Sequence, residues 1–250
     1  MQNAPGLLVV MAHPDDESMG CGGLILRHSR AGVAVSLICT TRGEAGWSGK
    51  PFGAKKEDLA QIRSGELEEA ALALGVGDVQ IWDYPDGGMS GSDPQEITDR
   101  IWEQISKLRP KAVLGWGPDG VYGHPDHIAA GACTDVAVNA MAEGDRPALY
   151  HLAVDQQVAD FYRDALRLTG ENELPLVVKD QVDVVLELDS DEVMMKLRAI
   201  DCHRSQLEEW RIAIREHPRL MQMGYGHEPY LAISSRATGL TAGGLLGEFG

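Results

Sequence analysis

The sequence predicts an α/β fold, a mostly parallel sheet with helices on both faces. Three observations carry that expectation. Short apolar runs alternate with longer amphipathic ones through the first 150 residues, the order of a strand–helix–strand chain. Two of the apolar runs, at 6–12 and 33–41, read as buried strands, as helices on both faces of a sheet require. The most polar clusters come directly after such runs, at the strand ends where open parallel sheets bind ligands.

Taken in order, "GLLVVMA" (6–12) reads as a short buried strand and "GGLILRHSRAG" (22–32) as the helix behind it. "VAVSLICTT" (33–41) is a second strand, followed by a long polar loop over 42–56. In "EDLAQIRSGELEEAALALG" (57–75) the apolar residues Leu59, Ile62, Leu67, Ala70, Ala71 and Leu74 recur largely at three- and four-residue spacing, and Gly75 can stop the helix. "VQIWDYP" (79–85) is a third strand running into a turn at Pro85-Asp86-Gly87-Gly88. A helix over 94–108, a strand at 112–116, a loop at 117–126 and a helix at 127–142 repeat the pattern. In the second half, "QVDVVLEL" (181–188) reads as a strand, and 189–216 as one helix with an Asp or Ser cap.

Neither an internal repeat nor a linker divides the chain. One domain over 1–250 is expected, with a core at about 6–150, a C-terminal elaboration at about 151–236 and a Gly-rich tail at 237–250. The net charge of −16 argues against nucleic acid or an anionic membrane surface, both of which need clustered Lys and Arg. The only early apolar run is short, lacks a basic flank and ends in acids, so neither a signal peptide nor membrane insertion is expected. Cys21, Cys39, Cys133 and Cys202 are widely spaced with no CxxC pair, which predicts reduced thiols and a cytoplasmic location.

The chemistry sits in two copies of His-Pro-Asp, one in "AHPDDE" (12–17) and one in "GHPDH" (123–127). Each lies at an expected strand-to-helix junction, and chance predicts far less than one copy in a chain of this composition. Two imidazoles and one carboxylate make a catalytic zinc site with a fourth position for water. His13 and Asp16 can point at one ion, with His127 completing the set. Asp15 then stands beside the metal without binding it, placed as general base. A protonated His124 could stabilise an oxyanion or protonate a leaving amine, with Asp126 orienting it. Such an assembly suits amide or ester hydrolysis.

At these residues the chain resembles the LmbE-like, or PIG-L-type, family of zinc-dependent N-acetylglucosamine deacetylases. The carriers are "AHPDDE" with its downstream "GCGG", "TRGEAG" (41–46), "RSGELEEAALALG" (63–75), "DYPDG" (83–87) and "GHPDH", with a weaker echo in "CHRSQ" (202–206). The resemblance covers residues 6–142 well and the remainder thinly. It implies a Rossmann-like fold, zinc on His13, Asp16 and His127, Asp15 as the residue that activates water, and His124 assisting the tetrahedral intermediate. It also implies substrate contacts from Arg63 and Tyr122, a small amino-sugar substrate and assembly into a homo-oligomer. The aglycone is left open, since such enzymes act on glycolipid precursors, thiol-cofactor precursors, antibiotics and chito-oligomers.

Other readings compete. Asp16, Ser18 and Asp126 could simply cap helices, but capping needs no histidines. The donor set would equally hold Fe2+, Mn2+ or Co2+. The glycines of "GCGGLIL" lack dinucleotide spacing and follow acids that would repel a pyrophosphate. Glu17 reads as a helix-dipole charge. His28, His151, His203 and His217 read as structural or surface groups, and His227 as a pocket residue by position alone. An amidase on a larger conjugate, or a metal- or sugar-binding module without turnover, is the alternative function.

Overall fold

A computed structural model of the chain describes residues 6–47, 56–207 and 209–237. The first half runs β1 (Leu7–Met11), α1 (Asp16–Arg30), β2 (Val35–Thr41), α2 (Lys56–Leu74), β3 (Asp78–Tyr84), α3 (Pro94–Leu108) and β4 (Ala112–Gly115). The one-turn α4 (Gly120–Gly123) and α5 (Pro125–Asn139) follow. The second half adds β5 (Ala148–Leu152), α6 (Gln156–Thr169), β6 (Val184–Glu187), α7 (Ser190–Ile200), α8 (Glu209–Ala213), α9 (Pro218–Tyr225) and β7 (His227–Ala232). The middle of the expected 42–56 loop and the Gly-rich tail, at 48–55 and 238–250, lie outside the described residues.

Among the described residues, seven strands join one sheet in the order β3-β2-β1-β4-β5-β7-β6. Pairings from β3 through β5 are parallel, while β7 runs antiparallel to both β5 and β6. Val9 of β1 faces Leu37 on one side and Leu114 on the other. All five β1 residues are fully buried, and burial of Leu7, Leu8, Val9, Val10 and Met11 contributes roughly 1.5–3 kcal/mol each. α1, α2 and α7 pack together, as do α3 and α5 in a separate layer.

This topology places the site. From β1 the chain builds outward through β2 to β3, then crosses back to lay β4 on the other side of β1. The connections leaving β1 and β4 therefore diverge and open a crevice at the carboxyl ends of those two strands. Both His-Pro-Asp motifs lie there.

The first helix begins at Asp16, six residues before the expected start, and carries a kink at Cys21 (φ −147°, ψ 22°). The kink frees the Gly23 and Leu24 amides, which donate to Glu228 at 2.8 and 2.9 Å. Gly23 is needed for a close approach, because a Cβ there would lie 2.3 Å from Leu188. The expected helix over 189–216 is broken. α7 opens with a capping box between Asp189 and Glu192 and stops at Ile200, and a 3-10 turn at Arg204–Gln206 and α8 follow. The chain leaves the helical path so that His203, Ser205 and Gln206 can turn inward, all three buried.

Candidate metal centre and its cleft

His13 emerges from the end of β1, two residues past Met11, and Asp16 opens α1. The Asp16 Oδ2 accepts the backbone N–H groups of Ala12 (3.2 Å) and His13 (2.7 Å), which pins the strand end to the helix start. Across the crevice, α5 begins with Pro125 in its first turn, and His124 caps it by accepting the Asp126 amide on Nδ1 at 3.2 Å. His127 then falls on the first turn facing β1. Its ring stacks on Trp116 (centroids 3.6 Å apart, planes 10°).

Three donor groups converge. His13 Nδ1 lies 3.2 Å from His127 Nε2 and 3.5 Å from Asp16 Oδ2, and His127 Nε2 lies 3.5 Å from Asp16 Oδ1. A tetrahedral ion with bonds of about 2.0–2.2 Å separates its ligand atoms by about 3.3–3.6 Å, so the spacing suits one. The tautomers suit it too. His127 Nδ1 faces the Gly120 carbonyl at 3.1 Å and must donate there, leaving Nε2 bare. His13 Nε2 faces Asp126 Oδ2 and Asp86 Oδ1, both at 3.2 Å, and donates to them, turning Nδ1 to the shared point. Outer carboxylates and carbonyls that fix the ligand tautomer in this way are the usual support of a metal-binding imidazole. His124 also brings its ring to this cluster, 4.6 Å from His13 and 4.7 Å from His127 by centroid.

The electrostatics follow from this crowding. Burial disfavours charge on His13, yet hydrogen bonds with Asp126, Asp16 and Asp86 outweigh it and raise its pKa well above the ordinary value. The acidic groups that attract a proton to His13 attract a cation for the same reason. Burial likewise opposes ionisation of Asp16, but the neighbouring His127 and His13 hold it well below the usual carboxylate range. For His124, burial and then the charges of His13 and His127 lower the pKa, which favours the neutral ring. Since its Nδ1 accepts from the Asp126 amide, the neutral ring carries its hydrogen on Nε2.

Asp15 stands at φ 111°, a left-handed conformation that costs a non-glycine residue about 1–3 kcal/mol. Its side chain does not cap α1. Instead Oδ1 lies 3.4 Å from Arg63, and Oδ2 accepts from Arg211 at 3.3 Å. Arg63 is itself buried and donates to the carbonyls of Pro14 (2.5 Å) and Gly43 (2.8 Å). Gly43 and Gly46 of "TRGEAG" let the loop lie on it, since a Cβ at either would come within 2.5 Å of the guanidinium.

These groups line one cleft of about 800 Å³, with His13, Asp15, Asp16, Arg63, Tyr122, His124 and His127 at its polar end. Val154, Val158, Phe161 and Leu174 line its other wall. Tyr122 turns its ring edge-on to His124 (5.7 Å) and His127 (5.2 Å). Burial and the Asp16 and Asp15 charges push its phenol upward, so it remains a hydrogen-bond donor.

Three expectations change. Asp126 does not orient His124 through its carboxylate. Fully buried at the start of α5, it meets His13 and accepts the Gly87 and Met89 amides at 2.7 and 3.0 Å. The 85–89 segment reaches over the α5 start and supplies those donors. Glu17, expected only as a helix-dipole charge, lies in the first turn of α1 but is fully buried against His203. His124, expected to be protonated, sits where burial and the charges of His13 and His127 lower its pKa. Two site residues went unread, Asp86 and Arg211. Asp86 had a signal in "DYPDG", while Arg211 sits 196 positions from its partner and had none.

Comparisons with known proteins identify the family. A model of the PIG-L family, GlcNAc-PI de-N-acetylase, matches residues 8–138. A 1D-myo-inositol 2-acetamido-2-deoxy-alpha-D-glucopyranoside deacetylase of Kineococcus radiotolerans is 34% identical, over 80% of this chain and 68% of its own. A protein of Bacillus anthracis described as a probable N-acetyl-alpha-D-glucosaminyl L-malate deacetylase 2 is 33% identical, over 82% and 83%. Among solved structures, the N,N'-diacetylchitobiose deacetylase of Pyrococcus horikoshii superposes with a TM-score of 0.65 at 26% identity, covering 91% of this chain and 83% of that one. With strand-end motifs, fold and relatives in accord, the chain belongs to the PIG-L, or LmbE-like, de-N-acetylase family.

Proposed function

We propose that the protein hydrolyses the N-acetyl amide of a small glucosamine-containing molecule, with a divalent cation held by His13, Asp16 and His127. The observation that carries this reading is the convergence of His13 Nδ1, His127 Nε2 and the Asp16 carboxylate within 3.5 Å, while the other nitrogen of each imidazole is committed elsewhere. Zn2+ suits that donor set, and Fe2+, Mn2+ and Co2+ accept it. When bound, such a cation polarises the amide carbonyl and acidifies water.

The chain's own groups do the rest. Asp15 takes a proton from the attacking water as its oxygen bonds to the acetyl carbon. Arg63 and Arg211 hold the two carboxylate oxygens and aim them. Neutral His124 offers its Nε2–H to the carbonyl oxygen as negative charge develops there, a role that needs no imidazolium. Asp15 then passes its proton to the nitrogen as the C–N bond breaks, giving acetate and the free amine. The Tyr122 hydroxyl binds the substrate beside His124, a role supported by the ring lying 5.7 Å from that of His124. A cleft of about 800 Å³ exceeds one sugar ring, which favours a conjugated amino sugar over the free monosaccharide.

Release of primary amine from a panel tests this. The panel holds N-acetylglucosamine, a chito-disaccharide and the malate and inositol conjugates, each assayed before chelation, after it, and after Zn2+ is returned. Chelator-sensitive release from one member supports the reading. No release from any by metal-loaded protein would move the assignment to a larger-conjugate amidase or a binding module.

A further inference from the structure

Asp15 is held in its left-handed conformation without using its own side chain as a cap. Its backbone N–H donates instead to Glu17 Oε2 at 3.1 Å. Glu17 is fully buried, and its other oxygen accepts from Ser18 Oγ at 2.5 Å and from His203 Nε2 at 2.8 Å. His203 is also fully buried, and it comes from the far end of the sequence, in "CHRSQ". An acid in the middle of a core is stable only with a partner, and this one spends its second oxygen on the backbone of the base.

The rest of "CHRSQ" grips the same neighbourhood. Ser205 donates through its N–H and its hydroxyl to Glu66 at 2.8 and 2.7 Å, and Gln206 donates to the Trp47 carbonyl at 2.8 Å. The segment thus joins the "AHPDDE" and "RSGELEE" motifs and the residue that follows "TRGEAG". Each motif supplies something that touches Asp15 or the Arg63 beside it.

We infer that Glu17 and His203 are positioning residues that fix the Asp15 backbone, and through it the direction of the catalytic carboxylate. Neither touches the cleft. The inference rests on Asp15 being the base, as proposed above, and predicts that the pair acts through Asp15 alone. A misplacement of about 1 Å at a reacting group costs on the order of 100-fold in rate.

The test replaces both partners at once, Glu17→Leu with His203→Leu, which leaves no lone buried charge to unfold the protein. Glu17→Gln, which keeps an acceptor for the Asp15 amide, is the control. Hydrogen exchange at the Asp15 amide, followed by NMR, is read first and needs no substrate. Protection is expected to fall at least about tenfold in the double variant and to persist in Glu17→Gln. With the substrate found in the panel, kcat is expected to drop about 10- to 100-fold at little-changed KM and unchanged metal content, with Glu17→Gln recovering most of it.

In an Asp15→Ala background the double substitution should lower the residual rate no further. Unchanged Asp15 exchange in the double variant, or an equal loss of rate in the Asp15→Ala background, would overturn the inference. If the double variant does not fold, Glu17→Gln and Ser18→Ala carry the same exchange measurement, and loss of protection in Glu17→Gln counts against it. Failure of Asp15→Ala itself to slow turnover would instead remove the reading of Asp15 as the base.

Discussion

The two halves of the molecule do different work. The first, β1 through α5, supplies the groups that converge on the candidate metal centre, and all of them lie on the connections leaving β1, β3 and β4. The second, β5 through β7, supplies no donor to the cluster of His13, Asp16 and His127, but it holds that cluster's surroundings. His203 braces Glu17, Arg211 meets Asp15, Ser205 meets Glu66, and Lys196 and Glu228 support the broken α1. Reactive groups can be placed by a short stretch of chain after a strand. Fixing their direction takes contacts from distant sequence.

This contrast can be broken by experiment. The largest effect belongs to the first half: His127→Ala removes one of three donors, and we expect metal binding and turnover to fall to background, read by metal analysis and amine release. Retained cation in that variant would dissolve the contrast. Next comes Asp15→Asn, which should keep the metal while slowing kcat by about 10²- to 10⁴-fold. Together the two variants separate holding the ion from using it.

The second half should respond in stability rather than metal content. Ser205→Ala strips the Glu66 carboxylate of one buried donor, and a cost of about 1–3 kcal/mol is expected in denaturant unfolding, with metal stoichiometry unchanged. The smallest effect concerns His227, whose two nitrogens lie 2.7 Å from Glu187 and from Asp155. Burial disfavours its charge, but the two carboxylates outweigh burial and raise its pKa above the usual value. The folded chain therefore holds this proton more tightly than the unfolded chain. Its contribution to stability is full below the ordinary histidine pKa of about 6.5 and fades as pH climbs through the raised one. His227→Gln should flatten the fall in unfolding free energy above that point, measured as the difference from the parent protein.

The same division explains how much could be read from sequence. β1, β2 and β4 were legible because parallel strands buried on both faces are continuous apolar runs, and the cluster of His13, Asp16 and His127 because His-Pro-Asp recurred at two strand ends. β7 was not. "HEPYLA" holds a proline, a histidine and a glutamate in six residues, a composition that argues against a central strand. It pairs on both sides nonetheless, because Glu228 finds Lys196 and Tyr230 and His227 finds Asp155 and Glu187. β5 was passed over as well. α6 was missed although its signal existed, with Asp155 capping a run in which Val158, Phe161 and Ala165 recur at helical spacing. Glu17 was misread for a different reason. A lone acid in a first helical turn looks like a dipole charge until its partner, 186 residues away, is known.

The most direct test of the account is the position of the ion. His13 offers two nitrogens to two different clusters, Nδ1 toward Asp16 and His127 and Nε2 toward Asp86 and Asp126. A crystal of Co2+-loaded protein, with the ion located by its anomalous scattering, separates them. The account predicts one ion bonded at about 2.0–2.2 Å to His13 Nδ1, His127 Nε2 and Asp16, with Asp15 unbonded beside it. An ion seated among His13 Nε2, Asp86 and Asp126 would contradict it.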